Sequence, residues 1–577
     1  MKGTEYILNA LVTEGISHVF LVPGGLLDPF VASFEKVPKL TPIVAACEAG
    51  AAFMADGYAR ASGKFGVCFG IGGPGITNMV TAISAAYSDS SPVLAISGEV
   101  PTYMEGRGQF QDASAATIND TAILRTITAF SQEVEDASLL NTIFNEALVT
   151  MLDAPNRPVH LSIPHNIQQA EIAVAHKRLD LEICSHSFIE DAAIEKTLDR
   201  ISDSSKYGSF AKKIAILAGA GVEHASASDV LLALAERYDI PVATTLRAKG
   251  VFPEDHPLSL GVFGYAGTRH ATDALLSDEL ELLIVVGSSM KVRDSMYWSA
   301  KLAPSRGIVF VNISSVDLGK EKKDDSIIIK SDAYSFLKHL SDDRSQKSES
   351  LKLGRDERIK WLSDVKSKPR FYDLENTQSQ AIPIHPARIV AEMRKALPRD
   401  TVVLIDSGAH RAFAGQYWQA YEPRHYLSAT TLGPMGWAIP AAIGAKIARP
   451  DLPCAVITGD GCMLMHGMEI QTAARYNIPV IYVVINNSAL GNVWLRAKDE
   501  GELAAKLTEL PDHDWAAFAK SLGVGSVTVR DPNDLPGAFE RALSSNAAFL
   551  IEVKADKKYT TPIEPFAEAK KAWSYHE

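Results

Sequence analysis

Cysteine is scarce in this chain and poorly placed for cross-linking. The five in 577 residues, Cys47, Cys68, Cys184, Cys454 and Cys462, include no pair in CxxC spacing. That argues against a disulfide scaffold or a structural zinc site, and it fits a reducing cytoplasm. No run of ~18 apolar residues occurs, so no membrane span is expected. The N-terminal stretch leads into an amphipathic segment carrying Glu5 and Glu14 rather than a signal peptide. Lys/Arg-rich blocks are also missing, and the net charge is −12. A nucleic-acid partner is therefore not expected, although a local basic cleft for a small anion is compatible with this balance. What is present is ordinary soluble-protein composition, 46% hydrophobic and 22% charged. The length suggests three or four domains at ~150 residues each, each able to bury its own core without staples.

Short apolar runs alternate with helical patterns almost throughout: Val19–Val22, Val67–Ile71, Val93–Ile96, Ile214–Ala218, Leu282–Val286, Ile308–Ile313, Val402–Ile405, Ala455–Ile457 and Val480–Ile485. This predicts an α/β protein of doubly wound parallel sheets. Two polar stretches, about Ala175–Asp203 and Asp342–Gln380, break the pattern and read as linkers that pack partly as helix; the second includes the run Ser345–Ser350. They divide the chain into three domains, about 1–175, 190–342 and 375–557, followed by a tail over 558–577. The first and third share a layout but no residue-level repeat.

The sharpest local signal lies in the third domain. A strand ends at Gly459-Asp460-Gly461, a helical pattern follows, and the next strand ends at Asn486-Asn487. In a βαβ unit the two strands are parallel, which places Asp460 and Asn487 side by side at the carboxyl ends, where ligands bind in such sheets. A carboxylate, an amide oxygen and a turn carbonyl, that of Ala489, make a hard oxygen set suited to Mg2+ shared with phosphate. Gly459 and Gly461 let the backbone approach the phosphates at a helix N-terminus.

This GDG-x24-NN pattern resembles the fingerprint of thiamine-diphosphate enzymes, with several segments closest to the acetolactate synthase group. The resemblance implies thiamine diphosphate and Mg2+ as cofactors. It makes Asp406-Ser407-Gly408-Ala409-His410 the loop that closes over the diphosphate. In Leu432–Pro440 it assigns Met435 as the wedge between the cofactor's rings and the Gly433 carbonyl as acceptor for its aminopyrimidine. Glu48, at the start of a helical run Ala45–Arg60, corresponds to the glutamate that protonates the aminopyrimidine. Pro23 and Gly25 fall in a first glycine turn (Val22–Phe30), and Asn78 closes a second (Gly72–Asn78). Phe110 and Gln111 resemble a stretch lining the reaction pocket, an apolar wall and a hydrogen-bond donor. In this family the glutamate and the metal site face each other across two subunits, which implies an obligatory homodimer, often assembled into a homotetramer.

On the same resemblance the expected activity is a carboligase or lyase that joins a pyruvate-like 2-oxo acid donor to a carbonyl acceptor. Arg293 matches a carboxylate-clamping arginine of the acetolactate synthase pocket, and an exposed surface arginine is the alternative. The turn after Asn487 departs from that group, with Asn492 where a methionine is usual, followed by Trp494; a polar side chain there suggests a different acceptor. Rival readings are a 2-hydroxyacyl-CoA lyase, a 2-oxo-acid decarboxylase, a flavin-dependent oxidase of the pyruvate oxidase type and a non-catalytic homologue. In the middle domain, Gly264–Gly267 and Ser331–Ala333 resemble FAD contacts, while Ser289 and Asn312 depart from them, leaving FAD, ADP, CoA or an empty domain open.

Overall fold

The computed structural model describes residues 1–179, 191–314, 326–342 and 351–574. The polar run Ser345–Ser350, Cys184 and the end of the tail lie outside them. Three six-stranded sheets, parallel in every pairing, form the frame. The first contains β1 (His18–Leu21), β2 (Thr41–Val44), β3 (Gly66–Ile71), β4 (Val93–Glu99), β5 (Phe130–Glu133) and β6 (Val159–Pro164), in spatial order 2-1-3-4-6-5. The second contains β7 (Ile214–Ala218), β8 (Val242–Thr244), β9 (Ser259–Val262), β10 (Leu282–Val286), β11 (Ile308–Asn312) and β12 (Ile327–Lys330), in order 12-11-10-7-8-9. The third contains β13 (Val402–Ile405), β14 (Tyr426–Leu427), β15 (Cys454–Gly459), β16 (Ile481–Asn486), β17 (Gly525–Val529) and β18 (Phe549–Lys554), in order 14-13-15-16-18-17. Helices cover both faces, so the central strands are buried on both sides and mostly apolar. Thus β10 is Leu-Leu-Ile-Val-Val with every residue buried.

Counted from their own first strands, the outer two sheets have the same order, and the order reverses between β1 and β3 and between β13 and β15. The middle sheet instead follows the order of dinucleotide-binding folds, reversing between β7 and β10. Ligands in open α/β sheets bind outside the carboxyl ends at such reversals. In the middle sheet that point is filled by backbone. Gly219 and Gly221 donate their N–H groups to Val286 and Gly287, and a Cβ on Gly221 would lie 2.6 Å from the Gly287 Cα.

The outer domains pack on each other through one helix from each, Glu48–Ser62 and Ala438–Ala448. Both are rich in Ala and Gly on the shared face, which lets their backbones touch. At this seam the fully buried Asp56 takes hydrogen bonds from Arg60 Nε and from Trp437 Nε1, each at 2.8 Å. The Arg60 guanidinium lies 5.0 Å from the Trp437 ring centroid. A buried carboxylate in such a seam is tolerable because a cation and an indole donor satisfy it. The tail folds back: the helix Glu564–Ser574 sets Phe566 against Tyr265 and Tyr297 of the middle domain.

Candidate active site

The third sheet reverses between β13 and β15, and there a cleft of about 640 Å³, open to solvent, separates the two strand ends. Ser407, Gly408, Ala409 and His410 form one wall, Gly459, Asp460 and Gly461 the floor, and Asn487, Ala489 and Asn492 the other wall, with Met435 at the edge. The spacing in the chain explains this convergence. β15 pairs with β16 in the register Gly459↔Ile485, so the residues that follow each strand lie side by side.

Asp460 opens the helix Asp460–His466 and is 3% exposed. One carboxylate oxygen accepts from the Gly461 N–H at 2.9 Å and the other from the Ala489 N–H at 3.2 Å. Burial pushes its carboxyl up to about 6; a cation alongside would act in the opposite sense. Asn486 has a different job from Asn487. Its amide donates to Asp512, to the His513 carbonyl and to Glu552, which ties the strand end to the neighbouring loop and strand. The half-buried Asn487 remains to face the cleft.

The glycines of this floor are enforced by neighbours. A Cβ on Gly461 would sit 2.7 Å from Leu490 Cδ2 and 2.9 Å from Met435 Cε, and one on Gly408 would sit 2.5 Å from the His410 ring. His410 is itself buried, and its Nε2 has no hydrogen-bond partner among the described residues. Burial, then the nearby Arg411, push its imidazole down to about 3, so it is neutral. An orphaned ring nitrogen, a carboxylate fixed by two backbone N–H groups and a neighbouring amide oxygen fit a metal-bound diphosphate by the chemistry of the donor set.

Asp406 braces the wall, accepting from the N–H groups of Ser407 and Gly436 and from Thr458 Oγ1. The Gly433 carbonyl accepts from Ser407 Oγ at 2.8 Å. It therefore has a protein partner as well as its expected role toward a cofactor ring.

The second set of expected residues gathers at the carboxyl ends of the first sheet. Asn78 Nδ2 donates to Glu48 Oε2 at 3.0 Å, and Glu48 is the first residue of its helix. Gly25 and Pro23 lie on the exposed turn after β1. Gly24 is the packed glycine there: its Cβ would meet Ile71 at 2.7 Å, whereas that of Gly25 would meet nothing within 4 Å. Phe110 is 82% exposed, and Gln111 beside it has a φ of +63°. Among the described residues, none of the first domain lines the Asp460 cleft.

Two further expectations fall outside that cleft. Arg293 is exposed and stacks on Tyr265, 4.8 Å from its ring centroid. Trp494 is buried, with the Lys557 ammonium 5.2 Å from its ring.

Several residues in these sites carried no motif. Asp556, Lys557 and Tyr559 line the cleft from the segment after β18. Glu469, 1% exposed, accepts from the Ala46 and Cys47 N–H groups and so pins the approach to Glu48 from the third domain. Its only sequence signal is an acid inside the apolar helical run Met465–Ile470. Glu99, fully buried, accepts from the Val100 and Ala113 N–H groups and holds both ends of the loop that carries Phe110 and Gln111.

The Asp460 cleft on one sheet and a helix-start glutamate on its topological twin fit the class of thiamine-dependent enzymes. Comparison with known families agrees. The N-terminal TPP binding domain of thiamine pyrophosphate enzymes matches residues 1–118, their central domain 209–340 and their C-terminal TPP binding domain 406–553. The chain is 32% identical to a probable acetolactate synthase large subunit of Methanocaldococcus jannaschii, covering 98% of this chain and 94% of that protein. A probable acetolactate synthase large subunit of Methanococcus aeolicus is 31% identical, over 98% and 94%. A glyoxylate carboligase of Escherichia coli is 29% identical, over 96% and 92%. The chain belongs to the thiamine pyrophosphate enzyme family.

Proposed function

We propose that this protein is a thiamine-diphosphate- and Mg2+-dependent carboligase, taking a pyruvate-like 2-oxo acid as donor and a second carbonyl compound as acceptor. The observation that carries the reading is the convergence of Asp460, Asn487, Ala489 and His410 on one cleft. The names of the relatives, acetolactate synthase and glyoxylate carboligase, support carboligation. Asp460, Asn487 and the Ala489 carbonyl would hold the metal. Ser407, Gly408, Ala409, His410, Gly459 and Gly461 would hold the diphosphate, with Pro23, Asn78, Gly433 and Met435 about the rings. When bound, thiamine diphosphate supplies a nucleophilic carbon that adds to the donor carbonyl and stabilises the charge left as CO2 departs.

Glu48 would place a proton on the aminopyrimidine, and its hydrogen bond from Asn78 fixes which oxygen is free to do so. Gln111 would donate to a developing oxyanion, and Phe110 would keep water away. The cleft's far wall mixes the Asn492 amide with Leu490, Val493 and Leu495, which suits an acceptor with a polar group beside its carbonyl.

The two halves sit apart on one chain, and apolar side chains beside each half are uncovered: Tyr103 and Phe110 by the first, Leu464, Met465 and Met468 by the second. In our reading a homodimer, the unit of any tetramer, completes each site from two chains. Co-expression tests this. Glu48→Gln and Asp460→Asn chains are each inactive alone, but half of a random mixture is mixed dimers carrying one intact site of two, so about a quarter of parent activity returns. No recovery in a verified mixed dimer would place the site within one chain. Product analysis with pyruvate, thiamine diphosphate and Mg2+ tests the reaction, and absence of CO2 and of any carboligation product excludes pyruvate as donor. The resemblance of Gly264–Gly267 and Ser331–Ala333 to flavin contacts makes FAD a candidate in the middle domain, read by a flavin absorbance band in the purified protein.

A further inference from the structure

A second cleft, where the three domains of one chain meet, is built for an anion. It spans about 600 Å³, open to solvent, between the C-terminal end of the Glu48–Ser62 helix, the loop after β8 and the approach to β14. Four cations line it, Arg60, Lys64, Arg247 and Arg424, against two carboxylates, Asp89 and Glu223. His224 adds no charge, because burial, then Arg247, Arg424 and Arg60, push it down to about 3. Asp56, outside the cleft, also pairs with Arg60, so among the described residues the four cations face three carboxylates and the excess is one positive charge, in a protein whose overall charge is negative.

The carboxylates present do not exhaust the guanidinium donors. Asp89 accepts from Arg60 Nη1 at 3.2 Å and from the Thr430 and Thr431 N–H groups at 3.1 and 3.2 Å. Arg247 approaches it only to 3.8 Å, beyond hydrogen-bonding distance. Arg60 Nη2 is buried without an acceptor among the described residues. Arg424 spends one nitrogen on the Arg60 carbonyl and leaves the rest of its guanidinium at the cleft. A buried donor without an acceptor is destabilising, and it is tolerated where a ligand supplies the acceptor.

We infer that this cleft binds the phosphate group of a small molecule, with Arg60, Arg247 and Arg424 as its ligands. Three convergent guanidinium groups match the several oxygens of a phosphate, and its negative charge suits the positive excess of the lining. The cleft shares no residue with the Asp460 cleft, nor with Gly264–Gly267, Ser289, Asn312 or Asp332 of the middle domain. It is nonetheless wired to the catalytic side. Asp89 holds the backbone of Thr430 and Thr431, and the segment from there runs directly into Gly433 and Met435. An anion that draws Arg60 and Arg247 away from Asp89 acts on that segment, so the ligand regulates rather than reacts. The phosphate can come from free phosphate or from a nucleotide.

Calorimetric titration of the full-length holoenzyme tests this, with thiamine diphosphate and Mg2+ saturating so that the diphosphate cleft is already filled. Inorganic phosphate and ADP are the probes. Saturable binding is expected, weakened at least tenfold by Arg247→Gln and by Arg424→Gln, and unchanged by Arg125→Gln on an exposed helix end elsewhere. ADP binding at least tenfold tighter than phosphate identifies a nucleotide, and equal affinity identifies free phosphate. Arg424 is only half-buried, so its variant serves if Arg247→Gln fails to fold. The inference is overturned if neither probe saturates, or if affinity survives both substitutions.

Discussion

Replacing Gly57 by alanine adds one methyl group at the closest approach of two helices. The new Cβ would lie 2.0 Å from the Ala441 carbonyl oxygen and 2.7 Å from its Cα. Both are backbone atoms, so no rotamer relieves the clash, and the helices must part by roughly 1 Å or more to restore van der Waals contact. Gly444 makes the reciprocal approach, with its Cβ position 1.9 Å from the Met54 carbonyl oxygen, so the seam has no slack on the other side. Overpacking of this kind costs ~1–3 kcal/mol and sometimes more. Alanine is otherwise ~0.8–1 kcal/mol better than glycine inside a helix. With steric cost at the top of its range, the expected net loss is about 2 kcal/mol.

Gly537 is the matched comparison. It lies in the helix Leu535–Ser544, is exposed, and its Cβ would meet nothing within 4 Å, so Gly537→Ala should stabilise by about 0.5–1 kcal/mol. The assay is the midpoint of the first denaturant-induced transition, compared among parent and variants, because a chain of three domains need not unfold in one step. Opposite signs for one chemical change are the signature of helix contact. A Gly57→Ala midpoint at or above that of the parent would refute the argument that the seam is held by backbone approach.

Three further outcomes are expected. Glu48→Gln should slow C2–H exchange of bound thiamine diphosphate by about a hundredfold or more, read by NMR after quench, and exchange at the parent rate removes Glu48 from its proposed role. Burial, with Asp120 and Asp112 nearby, raises Glu99 from an ordinary 4.5 to about 7. The folded state therefore holds a proton that the unfolded state has lost between those values, and stability falls across that window as pH rises, by about 3 kcal/mol in all. Glu99→Gln should flatten the decline of denaturant midpoint from pH 4.5 to 7, and an unchanged slope contradicts it. Asp460→Asn should raise the Mg2+ concentration for half-maximal binding of thiamine diphosphate about tenfold or more, measured by equilibrium binding in chelator-buffered metal, whereas an unshifted requirement means the ion sits elsewhere.

What was legible in the sequence is what physics makes local. Alternating apolar runs and helical patterns report a parallel α/β frame because buried central strands must be apolar on both faces. The Asp460–Asn487 pairing was legible because a βαβ crossover fixes the relation of its two strand ends. Glu469, Glu99 and Lys557 were not legible. Each acts through tertiary contact with a segment whose position no spacing rule specifies, and each is a charged residue of a kind that is usually solvated. Arg293, matched by resemblance to a pocket arginine, stacks on Tyr265, a tertiary contact that no motif specifies.

The relation between Glu48 and Asp460 belongs to neither category. Within one chain, the face of the Glu48 helix that meets the third domain is committed to the backbone contact at Gly57, while Glu469 holds the approach to its first turn. The Asp460 cleft receives no first-domain residue and stays open. The contact that stabilises the monomer thus occupies the interdomain surface without joining the two halves of the site. In the proposed dimer, folding and catalysis are served by different pairings of the same two domains, and a perturbation of the Gly57 seam reaches catalysis through the position of Glu48 rather than through the metal.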